Sequence, residues 1–461
     1  MNSRDVNQEA GLAGTLFWRR PQLTRRLFFR HLASAVGGYF LLPARPTETV
    51  ARAAVSPKGT ARFCIFVLMN GGPSHVDTFD LKTGSWTPAF MNPETYNGVA
   101  FPQGLMPTLA ANLDSMVLLR SVRAWAVVHE LGRTWIQIGR NPTSATARIA
   151  PHIGSVVSLE LASSPKDKVL PGFVSLNINS GPLQGYLAPE HAPFFISPSG
   201  NGLPNTRNPE GQAVFERRYS LLQQLDAEIR EGELGPSLTE MGSFNQAARR
   251  LMYNPDVDRI FTFPAAEKDR YGGTTNGAGT GFGNSCIAAR NLIRADAGTR
   301  FIQLNIGGWD HHSNIYAPNA GLQSLARQFD LGLGNLIADL KSDGLLDQTF
   351  ILAMGEFGRT VGNPNSQAGR DHFAQQAVLV AGGGIRGGRA IGATDNDGRE
   401  VVEPGWSRNR VIRPEDLEAT IYSALGIDWT TIRRDDPLGR GFEYVPSSQY
   451  DLYGPVHELW G

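Results

Sequence analysis

Six apolar segments recur along the chain and alternate with polar or amphipathic stretches. The first, Phe63–Met69, is apolar at every position, which is typical of a strand buried on both faces of a parallel sheet. The clearest helical pattern runs from about Gly321 to Leu340, where apolar residues form one stripe at helical spacing. The other five apolar segments are Met116–Leu119, Phe173–Ile178, Phe301–Ile306, Thr349–Met354 and Ala377–Ala381.

This alternation of strands and helices predicts an α/β fold with a mostly parallel sheet and helices on both of its faces. Residues 211–232 and 236–253 are predicted to form two polar helices on the outside. The glycine-rich stretch 272–284 is predicted to be a loop, and a role as a lid stays open. Residues 55–461 are expected to form a single domain, in which region 180–275 is a helical insertion because it lacks strong strands.

The N-terminal segment has the features of an export signal. Residues 24–30 read Thr-Arg-Arg-Leu-Phe-Phe-Arg, the pattern that the twin-arginine translocase recognises. The apolar stretch Leu32–Leu42 is shorter than the about 20 residues of a transmembrane helix, so we expect no stable membrane span. Small residues at 51–54 offer a cleavage site. Residues 1–54 are therefore predicted to be a twin-arginine signal peptide, and the mature protein is expected in the periplasm or outside the cell.

The amino-acid composition of the chain limits the classes of binding partner and of fold that we expect. Lys plus Arg and Asp plus Glu both number 43, and nothing indicates the clustered basic surface of a nucleic-acid-binding protein. The chain has only two cysteines, so it is not a disulfide scaffold. Cys64 lies within an apolar run and is expected to be a buried thiol, while a bridge between Cys64 and Cys286 stays open.

Polar clusters come directly after the predicted strands. Parallel strands end at one edge of a sheet, which is where open α/β folds bind ligands. Residues from separate parts of the chain are therefore expected to converge there. The clusters are Asn70–Asp80, Gly307–Asn314, Gly355–Thr360 and Gly369–Phe373.

Several residues in these clusters have side chains that bind metal ions. Asp310 and His312 are two residues apart in one loop, and Glu356 and the pair Asp371 and His372 follow the next strand. Such nitrogen and oxygen ligands suit Zn²⁺ or Mn²⁺. Each residue alone is more simply explained as a hydrogen-bonded loop residue. The set together favours a metal site, because its members follow separate strands.

The first of these loops allows two interpretations. Ser74, His75 and Asp77 belong to a ligand site whose backbone amides face an anion, or Gly71–Pro73 is only a tight turn and Ser74 caps the next helix. A second glycine pattern, at Gly382–Gly387, formally fits a dinucleotide fingerprint. A turn and a hairpin are predicted after it instead of a helix, so no nucleotide cofactor is expected.

At these loops the sequence resembles a large bacterial family of exported proteins known as domain of unknown function 1501. The matching stretches keep their order from about residue 60 to 440. The family has a smaller residue where this chain has His311, so His312 resembles the family's histidine. The stretches are Gly71–Asp80 with Lys82, Gly308–Asn314, Gly355–Thr360, Gly369–His372, and Gly382–Gly388 with Gly392–Asp395.

That family is similar to the alkaline phosphatase–sulfatase superfamily, and the resemblance implies this superfamily's fold and metal ligands. Asn70 stands where the superfamily has its first Asp ligand, and it is carried over as a substrate-binding residue. Asp310 and His312 resemble the later Asp and His pair. Glu356 stands at a strand end that has Asp-His-Gly in the superfamily, and His372 resembles the last histidine ligand.

The resemblance also points to a nucleophile position. Residues 129–142 resemble the sulfatase helix Cys-x-Pro-x-Arg, with Arg133 in register and with His129 in place of the modifiable cysteine. His129 is then a nucleophile or general base, and Ser74 is the alternative nucleophile. Arg133 or Arg359 would pair with the anion of the substrate. An ordinary amphipathic helix explains the same residues equally well.

Two functions follow from these observations. The first is an exported metal-dependent hydrolase of phosphate or sulfate esters, with a small ester or a polysaccharide as ligand. The second is a non-catalytic periplasmic binding or structural protein on the same fold. Convergence of Asp310, His312, Glu356 and His372 in an open cleft would favour the enzyme, whereas separated or covered ligands would favour the binding protein.

Overall fold

The computed structural model describes residues 55–162, 169–229, 242, 245–273 and 279–461. The predicted signal peptide, residues 236–241, 243 and 244 of the predicted helix 236–253, and residues 274–278 of the predicted lid lie outside the described residues. The contacts of the chain group Ser56–Gly461 into one unit. Among the helices of the described part, none combines the length and the hydrophobicity that a membrane span requires.

An eight-stranded sheet forms the centre of this unit, in the order β8-β2-β7-β6-β1-β5-β3-β4. All neighbouring strands are parallel except β7, which runs antiparallel to both β2 and β6. The predicted fold class, a mostly parallel α/β sheet, is confirmed. The strands are β1 Phe63–Asn70, β2 Met116–Arg123, β3 Phe173–Leu176, β4 Phe194–Ile196, β5 Phe301–Gly307, β6 Thr349–Met354, β7 Gln375–Gly382 and β8 Arg389–Ile391.

Helices cover both faces of the sheet. Side chains alternate along β1, so Ile65 and Val67 join the core under α7, α8 and α9, while Phe66 points to the opposite face. The helices are α1 Pro107–Ala110, α2 His129–Ile138, α3 Ile153–Leu161, α4 Gln212–Ile229, α5 Pro255–Phe261, α6 Ala265–Arg270, α7 Gly279–Ala295, α8 Gly321–Phe329, α9 Asn335–Ser342 and α10 Pro414–Ala424. Four two-stranded sheets pair 93–96 with 99–102, 358–359 with 372–373, 393–394 with 401–403, and 432–433 with 442–443.

The helix predicted from Gly321 to Leu340 is interrupted by one π-helical turn, Asp330–Gly334. The Asp330 carboxylate is buried there and accepts hydrogen bonds from the backbone amides of Thr108 and Leu109, at 3.1 and 2.7 Å. It thereby satisfies amides at the start of α1. This contact between distant parts of the chain explains why the helix is interrupted at Asp330–Gly334. The apolar stripe in the sequence gives no sign of that interruption.

The glycine-rich stretch is partly helical, which corrects the prediction of a loop. Residues from Gly279 onwards belong to α7. A side chain at Gly281 would collide with Asn177, and one at Gly283 would collide with the backbone of Tyr271. These glycines therefore allow close packing, and the lid interpretation is wrong for 279–284.

The structure also bears on the expectations for the two cysteines and for the turn after β7. Cys64 and Cys286 are both buried and unbridged, and burial raises the pKa of each thiol. A turn follows β7, with positive φ at Gly382, Gly383 and Gly384, and the chain then enters β8 and the hairpin 393–403. The predicted turn and hairpin are confirmed.

Helix α10 is buried along its whole length and carries a carboxylate into the core. Glu418 accepts a hydrogen bond of 3.0 Å from the Tyr422 hydroxyl, while its Oε2 atom has no hydrogen-bond partner. Burial raises the pKa of Glu418 to about 8, although the positive charge of Arg140 acts in the opposite direction. The protein therefore holds a protonated carboxyl group next to Gly139, where α2 ends.

We predict that Glu418→Gln makes the stability of the protein less dependent on pH. The carboxyl pKa is about 8 in the folded protein and 4.5 ordinarily, so between these values unfolding releases a proton and rising pH favours the unfolded chain. Each pKa unit of difference corresponds to about 1.4 kcal/mol. Urea denaturation at pH 5 and pH 8 should show a smaller loss of stability in the variant than in the parent. The exposed control Glu94→Gln should keep the parent's pH dependence, and an unchanged dependence in Glu418→Gln would contradict the prediction.

Candidate metal centre

Four side chains from three parts of the chain meet at one edge of the sheet. His129 begins α2 soon after β2, and Asp310 and His312 follow β5. His372 pairs with Arg359 in the small sheet that leads from β6 into β7. Because β2, β5 and β6 end at this edge and the antiparallel β7 begins there, the four residues come together. One ligand atom from each lies within 4.8 Å of those from the other three: His129, Asp310, His312 and His372.

The distances between these atoms are short. His312 Nε2 lies 3.0 Å from His372 Nε2. Asp310 Oδ1 lies 3.1 Å from His312 Nε2 and 3.5 Å from His372 Nε2, and Asp310 Oδ2 lies 3.3 Å from His129 Nε2. In a tetrahedral zinc site, metal–ligand distances of about 2.0–2.1 Å place neighbouring ligand atoms roughly 3.3 Å apart. The separations among Asp310 Oδ1, His312 Nε2 and His372 Nε2 therefore fit edges of such a site, while His129 Nε2 approaches the other oxygen of the carboxylate.

Each of the three histidines has its Nδ1 atom on a hydrogen-bond acceptor. His372 Nδ1 donates to the Val127 carbonyl at 2.8 Å, His312 Nδ1 to Asp371 at 2.9 Å, and His129 Nδ1 to Glu356 at 2.6 Å. A proton on Nδ1 leaves the Nε2 atom of a neutral ring with a lone pair. All three Nε2 atoms face the common centre, where Arg359 Nη1 also lies 3.3 Å from His312 Nε2. This is the orientation of histidine ligands held by an outer shell of acceptors.

This arrangement concentrates electron pairs at one point. The Nε2 atom of His129 is buried and has no hydrogen-bond partner. Nitrogen lone pairs and a carboxylate at such distances repel one another unless a proton or a cation lies between them. The Arg359 guanidinium supplies one positive charge at the edge of the cluster, through Asp310 and His312, and the residues present fit a divalent cation beside it.

A buried arginine stands beside the cluster. The Arg359 guanidinium is enclosed by backbone carbonyls, including Gly72 O at 2.8 Å and Arg370 O at 3.1 Å, and donates to Asp310 at 2.5 Å. Burial works against ionisation of Asp310, but Arg359 outweighs it and holds the pKa of this carboxyl below its ordinary value. The carboxylate therefore stays charged and able to bind a cation.

The cluster is open to solvent on one side. The side chains of Asp310 and His312 are 45% and 44% exposed, and those of His129 and His372 are partly exposed. Burial and the nearby Arg359 lower the pKa of His372, which keeps its imidazole neutral and suited to bind a metal. An ion or a small ester has direct access to this point.

Glu356 and Asp371 lie behind the histidines, whereas the sequence hypothesis placed them among the metal ligands. Glu356 is fully buried and accepts hydrogen bonds from the Gly71 amide, at 3.0 Å, and from His129. Asp371 accepts from His312 and from Asn365, the latter at 3.3 Å. Conversely, His129, which the sequence hypothesis made the nucleophile, joins the cluster itself.

The first loop forms a buried ion-pair network. Asp77 accepts hydrogen bonds from Ser74 at 2.5 Å, Tyr316 at 2.6 Å and Arg370 at 2.8 Å. His75 is also buried and contacts the Gly398 carbonyl at 2.8 Å. The hydroxyl of Ser74 is thus enclosed and engaged with Asp77.

A polar cleft of about 850 Å³ opens next to the cluster. Asn70, at the end of β1, accepts a hydrogen bond of 3.0 Å from Arg133, which lies one helical turn after His129 on α2. Arg148 and Gln184 line the cleft with them. The cleft therefore offers cationic and amide groups, and the exposed Glu130 carboxylate, which pairs with Arg133, lines it as well.

A protein-family model described as "Protein of unknown function (DUF1501)" matches residues 61–446. The chain belongs to this family. The resemblance noted in the sequence is confirmed over nearly the whole described unit. Among curated protein sequences, none matches the chain significantly.

Several solved structures resemble this chain distantly, with low sequence identity and low TM-scores. A PsFucS1 sulfatase from Pseudoalteromonas sp. is 12% identical, with 80% of this chain and 68% of that chain covered and a TM-score of 0.39. A protein in the alkaline phosphatase superfamily from Vibrio parahaemolyticus is 11% identical, with 81% and 69% covered and a TM-score of 0.35. The lipoteichoic acid synthase LtaP from Listeria monocytogenes is 10% identical, with 84% and 77% covered and a TM-score of 0.37.

Several contributors to the site carry no signal in the sequence. The Val127 carbonyl acts through its backbone, so no residue type marks it. Arg148 and Gln184 lie in irregular segments without a motif. The outer position of Glu356 depends on side-chain direction at the strand end, which strand prediction alone does not resolve.

We predict that Arg370→Met destabilises the protein by about 3–5 kcal/mol, because it leaves the Asp77 carboxylate buried without its cation. Arg259→Met is the control, since Arg259 is 74% exposed in its pair with Asp256, and it should cost at most about 1 kcal/mol. Urea denaturation of both variants measures the difference. Equal losses of stability in the two variants would show that the ion pair between Arg370 and Asp77 does not stabilise the loop after β1.

Proposed function

We propose that this protein is a metal-dependent hydrolase of phosphate or sulfate esters. The convergence of three Nε2 atoms and one carboxylate, with every Nδ1 held by an acceptor, is the observation that supports it. The ligands lie together at an open surface, which is the arrangement expected of the enzyme and not of the binding protein.

In this proposal His129, Asp310, His312 and His372 hold the cation. Three imidazoles and one carboxylate suit Zn²⁺ or Mn²⁺. A divalent cation bound there would act as a Lewis acid that polarises an ester oxygen.

The remaining residues bind and orient. Glu356 and Asp371 fix the ring orientation and the tautomer of His129 and His312, and Arg359 keeps Asp310 ionised. Arg133, oriented by Asn70, pairs with the anionic group of the ester. Because Ser74 is enclosed and His129 faces the cluster, we propose that water and not a side chain attacks the ester.

We predict that the purified mature protein binds about one equivalent of zinc or manganese, and that the double variant His312→Ala, His372→Ala loses it. Elemental analysis after dialysis against each ion measures the content. His311→Ala is the matched control, because His311 lies between two proposed ligands in sequence but outside the cluster. It should retain the metal.

The loaded protein is then tested on p-nitrophenyl phosphate and p-nitrophenyl sulfate. Turnover that disappears in the double variant, and that Arg133→Ala weakens mainly through KM, would support the hydrolase. Metal binding without turnover would leave the non-catalytic binding protein as the better account. No metal in any form would reject the metal centre.

We further propose that residues 1–54 direct export through the twin-arginine translocase and that the mature chain, 55–461, works as one domain in the periplasm or outside the cell. The arginine pair Arg25 and Arg26 supports this. Changing both to Lys should retain the precursor in the cytoplasm of a bacterial host, as measured by fractionation, whereas Arg19→Lys should not. Unaltered export of the double variant would contradict the assignment.

A further inference from the structure

Helix α2 separates the polar cleft from a second one. Successive residues of a helix are about 100° apart, so Arg133 and Trp135 point in roughly opposite directions. Arg133 lines the first cleft, whereas Trp135 lines a cleft of about 390 Å³ on the other side. The same short helix that begins with His129 therefore contributes to both.

Two tryptophans form one wall of the second cleft. The rings of Trp125 and Trp135 are nearly parallel, with an interplanar angle of 23° and centroids 6.0 Å apart. Both indole N–H groups donate to the buried carboxylate of Glu415, each at 2.9 Å. Their polar atoms are thus satisfied from inside, and the parts of the rings that line the cleft offer carbon surface to a ligand.

The outer ring is unusually accessible. Trp125 is 45% exposed, although tryptophan is usually well buried in proteins. The Arg413 guanidinium stacks 3.8 Å from the centre of this ring and does not line the cleft. Arg413 and Glu415 therefore hold the exposed ring in a fixed orientation before any ligand arrives.

Polar groups complete the cleft. Glu443 accepts a hydrogen bond from the Ser447 amide at 2.8 Å through Oε2, while its Oε1 atom is buried and has no hydrogen-bond partner. Asn141 and Tyr453 line the same space. An unpartnered buried carboxylate oxygen calls for a hydrogen-bond donor on the ligand.

We propose that this second cleft binds carbohydrate. A pyranose ring has an apolar face of C–H groups that packs on an aromatic ring, and a rim of hydroxyls that donate to carboxylate and amide oxygens. The tryptophan wall and the free oxygen of Glu443 match these two features.

This site is separate from the metal centre and does not depend on catalysis there. Its position across α2 would hold a polysaccharide close to the first cleft. The metal-site double variant His312→Ala, His372→Ala should therefore bind carbohydrate as the parent does. Failure of the carbohydrate site and failure of the hydrolase are distinguishable in this way.

The test is native affinity electrophoresis of the mature protein in gels that contain hydroxyethylcellulose, alginate, carrageenan or chondroitin sulfate. We expect at least one polymer to retard the parent. Trp125→Ala and Trp135→Ala should weaken this binding about tenfold or more, and Trp125→Phe, which keeps an aromatic face, should weaken it less. The control is Tyr450→Ala, because Tyr450 is 78% exposed and close in sequence to the cleft but does not line it.

Thermal unfolding of each variant separates loss of binding from loss of folding. Quenching of tryptophan fluorescence by the retarding polymer in the parent and in Tyr450→Ala, and weaker quenching in Trp125→Phe, provides a second readout. Migration unaffected by all four polymers would overturn the proposal. Retardation that persists in both tryptophan-to-alanine variants would also overturn it, since the polymer would then bind elsewhere.

Discussion

The repulsion between inward-facing lone pairs is the constraint on which the account of this site depends. Val127, Asp371 and Glu356 accept the Nδ1 protons of three histidines, so the Nε2 atoms of the neutral rings offer electron pairs to the centre, where Arg359 Nη1 also lies 3.3 Å from His312 Nε2. Asp310 adds a negative charge to the same point. Holding the three histidines and Asp310 this close together raises the free energy of the folded protein without a cation and lowers it when a cation is bound. The effect is large because charges close together in a partly desolvated site interact strongly. The hydrogen bonds at the Nδ1 atoms of the histidines therefore determine that the Nε2 atoms are available to bind a cation.

Two buried arginines hold the strand ends that make this geometry. Arg359 ties the loop after β1 to Asp310, and Arg370 ties the same loop to the segment before β7 through Asp77. Each buried guanidinium is compensated by a carboxylate and by backbone carbonyls, as a buried charge must be. Much of the polar sequence around the site thus serves to position the ligand loops, and only a few residues face the ligand.

The sequence predicts the fold well because strand burial leaves a local signal. The apolar run Thr349–Met354 coincides with β6, and polar clusters after β1, β5 and β6 do lie on one edge. The roles of individual side chains depend on contacts between distant segments, such as Ser74 with Asp77 and Arg370, and these leave no local pattern. Analogy with a sulfatase helix drew attention to His129 as a nucleophile or general base, while the ring faces Asp310, His312 and His372.

The central claim is that the three Nε2 atoms and Asp310 surround one cation. Anomalous diffraction at the zinc absorption edge, from crystals of the mature protein grown with zinc chloride, tests it most directly. The account predicts a single strong peak within bonding distance of His129, Asp310, His312 and His372, which is lost in the His312→Ala, His372→Ala variant. A peak held by Glu356 or Asp371 in place of His129, or no peak among these residues, would contradict it.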